Sequence, residues 1–123
     1  MNTLSKIEIL RGHKLIYMLK SAKGIECKYL RYKVLITDKV DSSNIKILIS
    51  VSKKLFKRAV DRNLIKRRIR EVYRLNKSRI LIGTDKVMFL NFIYKEPVIA
   101  GFREIENDFV TFVDNYINTK VCL

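Results

Sequence analysis

VMFLNFIY, residues 87 to 94, is apolar at nearly every position and rich in β-branched and aromatic side chains. A strand of that composition has to be covered on both faces, because an open face would leave a row of large apolar groups in water. The chain is therefore expected to layer other elements against both faces of this segment. Pro97 closes the segment, since proline has no N–H to give to a ladder.

Two other segments carry the period of strands. KYLRYKVLIT (28–37) alternates Leu30, Tyr32, Val34 and Ile36 with Tyr29, Arg31, Lys33 and Leu35. IKILISV (45–51) alternates Ile45, Ile47, Ile49 and Val51 with Lys46, Leu48 and Ser50. Period two is the signature of one drier face. DKVDSSN between them supplies turn residues, so the two are expected as neighbouring antiparallel strands.

Helical spacing recurs elsewhere. In KLIYMLKSAKG, Leu15, Met18 and Leu19 line one face and Gly24 follows as a stop, which predicts a short first helix. From Phe102 onward, Ile105, Phe109, Phe112, Val113 and Tyr116 fall three or four apart, which predicts a final amphipathic helix. No repeat, low-complexity tract or Pro/Gly/Ser linker divides the chain. Residues 1–123 are expected as a single α+β domain, a small sheet packed with helices in the order helix, strands, basic helix, strand, helix.

Charge narrows the function. There are 26 Lys and Arg against 12 Asp and Glu, a net charge of +14. That much like charge repels itself in the folded state and is best explained by a polyanionic partner, nucleic acid before an anionic membrane surface. No apolar run approaches the roughly 20 residues that span a bilayer, and MNTLSKIEILRGHK lacks a secretory pattern. A cytoplasmic protein without a membrane partner is expected. Cys27 and Cys122 form no CxxC pair and are expected as reduced thiols.

The charge concentrates in KRAVDRNLIKRRIREVYR, residues 57 to 74, with eight basic and two acidic groups. With residues about 100° apart around a helix, Ile65, Ile69 and Val72 fall within about 60° of one another, the stripe that lies on the sheet. Asn63, Arg67, Arg70 and Arg74 fall within a similar arc on the other side, with Lys66 and Arg68 beside it. Arginine suits such a line because its planar fork gives bidentate bonds to phosphate and keeps its charge. Lys53, Lys54, Lys57 and Arg58 add a basic loop before the helix. Asp61 and Glu71 are too few to neutralise it locally.

The continuous stretch ISVSKKLFKRAVDRNLIKRRIREVYRLNK, Ile49 to Lys77, closely resembles the signature region of the bacterial ribonuclease P protein component. That region follows Ser-x-x-Lys-Lys with Arg-Asn-Arg-x-Lys-Arg-x-x-Arg on a helix. Arg62, Asn63, Lys66, Arg67 and Arg70 occupy motif positions, and Ser50, Ser52, Lys53 and Lys54 match the strand end before it. One position departs: the second Arg of Arg-Asn-Arg is Leu64. Arg68 stands about 40° around from Leu64 and is expected to bring a guanidinium to nearly the same place.

The resemblance implies a ribosomal S5 domain 2-like fold with a mixed sheet, in which the basic helix joins two parallel strands by a left-handed crossover. It implies a protein subunit that binds ribonuclease P RNA and precursor tRNA in a one-to-one complex with the RNA. It further implies that the RNA performs the Mg²⁺-dependent removal of the 5′ leader, with no catalytic residue, metal or cofactor held by the protein. A cleft for the single-stranded leader, between the first helix and a sheet face, is implied as well, with Tyr17, Tyr29 and Tyr32 as stacking candidates. The residues themselves agree with the absence of a catalytic site: the sole His13 has no partner for a metal, and Glu104 and Asp108 read as a solvated helix face.

Rival readings are a ribosomal or general double-stranded RNA-binding protein, a DNA-binding module and an independent nuclease. Motif spacing disfavours the first. Strands where a helix-turn-helix would need a helix disfavour the second, and the lack of clustered carboxylates or histidines disfavours the third.

Overall fold

The computed structural model describes residues 22–38, 45–80 and 86–117. Four strands, β1 (Gly24–Glu26), β2 (Leu30–Asp38), β3 (Ile45–Ser50) and β4 (Lys86–Tyr94), form one sheet in the order β1-β2-β4-β3. The helix α1 (Ala59–Asn76) leads from β3 to β4, and α2 (Phe102–Phe112) follows β4, its last turn continuing as a π-helical turn over Val113–Ile117. The chain is an α+β domain with a mixed sheet, as expected from sequence. The first helix expected around residues 14–24 lies outside the described residues, apart from its end. There Gly24 is a strand residue opposite Lys33 rather than a helix stop; a Cβ on it would come 2.8 Å from Cδ of Arg31, so glycine lets that side chain cross the strand.

The expected pairing of the second and third strands is corrected. β4 lies between them, antiparallel to β2 (Tyr32 opposite Phe92) and parallel to β3 (Ile47 opposite Leu90). The reason is the composition of β4. Met88, Leu90, Phe92 and Tyr94 enter the main core on one face, while Val87 and Phe89 are buried on the other against Leu35 and Leu48. At an edge, such a strand would leave half its ladder unpaired and its apolar sides wet. The parallel pairing of β3 and β4 also demands a long crossover, and α1 supplies it.

α1 buries Ile65, Ile69 and Val72, the stripe expected from the helical angle, together with Tyr73 and Asn76. α2 adds Ile105, Phe109 and Phe112. Between the helices and the sheet lies an aromatic cluster of Tyr32, Tyr73, Phe92, Phe109 and Phe112, in which Tyr32 and Phe92 meet edge to face with centroids 5.5 Å apart. Each such ring contributes about 1.5–3 kcal/mol by leaving water. Asn76 pins the two helices together, its amide donating to Val72 O and to Glu106 Oε2, both at 2.9 Å.

Candidate nucleic-acid interface

The basic surface starts where β3 ends. Ser52 makes the turn: its hydroxyl accepts from Lys54 N at 2.9 Å and its carbonyl accepts from Leu55 N and Phe56 N at 3.2 Å. Val51 and Phe56 are buried on either side of it, so the intervening Lys53 and Lys54 are held out in solvent. Lys57 and Arg58 are exposed as well. Arg58 is the N-cap residue of α1 and offers no side-chain cap, its carbonyl accepting instead from the N–H groups of Asp61 and Arg62.

Along α1, Asn63, Arg67 and Arg70 are exposed on the side away from the buried stripe, and Lys66 is half-buried beside them. Among the described residues, no hydrogen bond or ion pair engages Arg67 or Arg70. Arg74, at the end of the same line, is different. It forms a bidentate pair with Glu71 one turn back, one arm being Nε to Oε1 at 3.0 Å. That pairing holds the Glu71 carboxyl below its ordinary range and the guanidinium above its own, so the far end of the line is partly neutralised.

Two other basic residues of the motif region are tied to the protein. Arg62 Nη1 donates to Phe56 O at 2.8 Å and to Lys57 O at 2.9 Å. Arg68 Nη1 donates to Ala100 O at 2.7 Å. Both stand about 60° to either side of Ile65 around the helix, flanking the buried stripe, which is why they reach backbone carbonyls. That angle was available in the sequence; the acceptors were not.

The stacking candidates separate. Tyr17 lies outside the described residues. Tyr32 is corrected: it is fully buried, lies 3.9 Å from Phe112 and nearly parallel to it, and offers no ring face to a base. Its place on β2 opposite Phe92 points it into the helix layer. Its hydroxyl has no hydrogen-bond partner among the described residues, and burial drives its ionisation far above the usual range. Tyr29 is half-exposed at the start of β2, with the Lys28 ammonium 5.3 Å from its ring centroid. Its hydroxyl donates to Glu104 Oε2 at 2.6 Å, which pushes its pKa up to about 12 and holds the Glu104 carboxyl below its ordinary value.

The reading of Glu104 and Asp108 as a solvated face holds for Glu104 alone. Asp108 is 6% exposed, and its carboxylate accepts from the backbone N–H groups of Lys28, Tyr29 and Leu30 at 2.8, 3.4 and 3.0 Å. It is a cap for the start of β2, with burial pushing its proton affinity up and the three N–H groups pulling it down. His13 and Cys122 lie outside the described residues. Cys27 is a free thiol whose pKa burial pushes up to about 11.

Strand alternation puts Arg31 and Lys33 of β2 and Lys46 of β3 on the sheet face away from the helices, the face that carries Leu35, Leu48 and Phe89. Period-two alternation in the sequence carries the signal of this second basic face. No helix among the described residues is long and apolar enough to cross a membrane, and no group of three or more His, Cys, Asp and Glu side chains is gathered there.

The family model described as Ribonuclease P matches residues 5–116. The ribonuclease P protein component of Chlorobium phaeobacteroides is 39% identical over 89 residues, covering 69% of this chain and 61% of that protein. Its counterpart from Porphyromonas gingivalis is 64% identical over 63 residues, covering 49% of this chain and 46% of that protein. The matched stretch thus spans 61% and 46% of the length of these two relatives. The solved structure of the Staphylococcus aureus RNase P protein superposes with a TM-score of 0.69 at 26% identity, covering 93% of this chain and 96% of that one. A basic helix crossing between parallel strands, the motif spacing on its exposed side and a family match over most of the chain agree, and the chain belongs to the ribonuclease P protein family.

Proposed function

We propose that this chain is the protein subunit of a cytoplasmic ribonuclease P ribonucleoprotein, binding the catalytic RNA one to one and assisting removal of the 5′ leader from precursor tRNA. The observation that carries the reading is the exposed line of Asn63, Arg67 and Arg70, with Lys53 and Lys54 also exposed in the turn before the helix, on a helix whose opposite stripe is locked into the core. Guanidinium groups without internal partners are suited to bidentate bonds with phosphate, and the rigid helix fixes their spacing before the RNA arrives.

In this reading the RNA holds the Mg²⁺ and performs the hydrolysis, while the protein lowers repulsion between phosphate backbones and positions the substrate. The leader follows the sheet face carrying Arg31, Lys33 and Lys46, with Tyr29 at the rim as the remaining described stacking candidate. Stacking on such a ring is worth about 1–3 kcal/mol per base. The test is cleavage of a 5′-extended precursor tRNA at low Mg²⁺ by ribonuclease P RNA from the same genome, with and without the protein. Stimulation with no cleavage by protein alone is expected. Tight RNA binding without stimulation would move the chain to the general RNA-binding proteins.

A further inference from the structure

The guanidinium groups of α1 divide by what they touch. Arg67 and Arg70 point into solvent, whereas Arg62 and Arg68 each hold backbone carbonyls of another segment. The two held segments meet at one side chain. The ring of Phe56, whose carbonyl Arg62 binds, lies 5.9 Å from the ring of Tyr94. The Tyr94 hydroxyl donates to Val98 O and accepts from Ala100 N at 2.9 Å, and Ala100 O takes the bond from Arg68. A continuous chain of contacts therefore runs from Arg62 through Phe56, Tyr94 and Ala100 to Arg68, and Tyr94 at its centre is only 2% exposed.

We infer that Arg62 and Arg68 are positioning residues, joined through Tyr94, that hold the Lys53–Lys54 turn and the loop before α2 against the basic helix. This rests on the RNA-binding reading above and divides its labour: Arg67 and Arg70 grip phosphate, and Arg62 and Arg68 set where the neighbouring basic groups stand. A carbonyl in a loop needs a donor when it is turned away from water, and a guanidinium rooted beside the buried stripe supplies one without leaving the helix. Arg68 Nη1 is thereby committed to Ala100 O, which draws this guanidinium toward the loop before α2 and away from the place of the residue missing at Leu64.

The experiment is binding of the full chain to ribonuclease P RNA from the same genome across a salt series, for the parent, Arg67→Ala, Arg62→Ala, Arg68→Ala, Arg68→Lys and Tyr94→Phe. A lost phosphate contact lowers the salt slope by about one, and Arg67→Ala is expected to do so. Arg62→Ala, Arg68→Ala and the charge-neutral Tyr94→Phe are expected to weaken binding roughly threefold to tenfold, the scale of one hydrogen bond, with the parental slope. Arg68→Lys, which keeps a donor for Ala100 O, recovers most of the loss. A slope reduced by about one in Arg68→Ala, or parental affinity in both Arg68→Ala and Tyr94→Phe, overturns the inference. An unchanged slope in Arg67→Ala strikes instead at the RNA-binding reading, so the two failures are told apart.

Discussion

Tyr32 lies flat against Phe112, with ring centroids 3.9 Å apart and planes 7° from parallel. The contact joins the sheet to the last turn of α2 and spends a tyrosine on the core. Its hydroxyl, buried without a partner among the described residues, gains nothing there that a phenylalanine would lack.

Tyr32→Phe is therefore expected to match the parent or exceed it in stability by up to about 1–2 kcal/mol, because an unsatisfied buried hydroxyl carries a desolvation cost. Urea denaturation measures the stability, and binding to a leader-bearing precursor tRNA measures the rest. A loss of leader affinity at unchanged stability would return Tyr32 to the RNA surface.

Asp108→Asn tests the cap on β2. The carboxylate accepts from three backbone N–H groups, and an amide offers one oxygen while turning an NH₂ toward donors. A loss of about 1–3 kcal/mol is expected from the unsatisfied groups. Faster amide exchange at Lys28 and Leu30 would locate the loss; parental exchange there would contradict the cap.

The Tyr29 hydroxyl holds the Glu104 carboxyl below its ordinary value, with the Gly101 N–H helping at 2.9 Å. A carboxyl with a lowered folded-state pKa adds stability above its unfolded pKa and loses it as pH falls through the lowered one. Tyr29→Phe is expected to move the Glu104 titration up toward the ordinary carboxylate range. Carboxyl carbon shifts followed by NMR from neutral to acid pH read this directly, and an unmoved titration would show that the hydroxyl is not the cause.

Neighbours on α1 should fail in opposite ways. Ile69 is fully buried, so Ile69→Ala is expected to cost about 2–5 kcal/mol while leaving the salt dependence of RNA binding intact in the folded fraction. Arg70 is exposed; Arg70→Ala is expected to keep the parental melting temperature and lower the salt slope by about one. Thermal melts alongside binding isotherms separate the two, and a destabilised Arg70→Ala would put that side chain inside the fold.

What was legible in the chain was periodic. The angular spacing of Ile65, Ile69 and Val72 against Asn63, Arg67 and Arg70 set the two sides of α1, and the nearly continuous apolar run of β4 called for cover on both faces, because such patterns depend only on residues a few positions apart. The tertiary structure decided partners. It placed β4 between β2 and β3, where its two apolar faces are both covered. It sent Tyr32 and Asp108 inward, the one stacked on Phe112 and the other holding N–H groups some 80 positions away in sequence. It also turned Arg62 and Arg68 toward carbonyls while leaving Arg67 and Arg70 in water. All four are the same residue on one helix: the helical angle sets Arg62 and Arg68 beside the buried stripe, and the fold supplies the carbonyls of Phe56, Lys57 and Ala100 that anchor them.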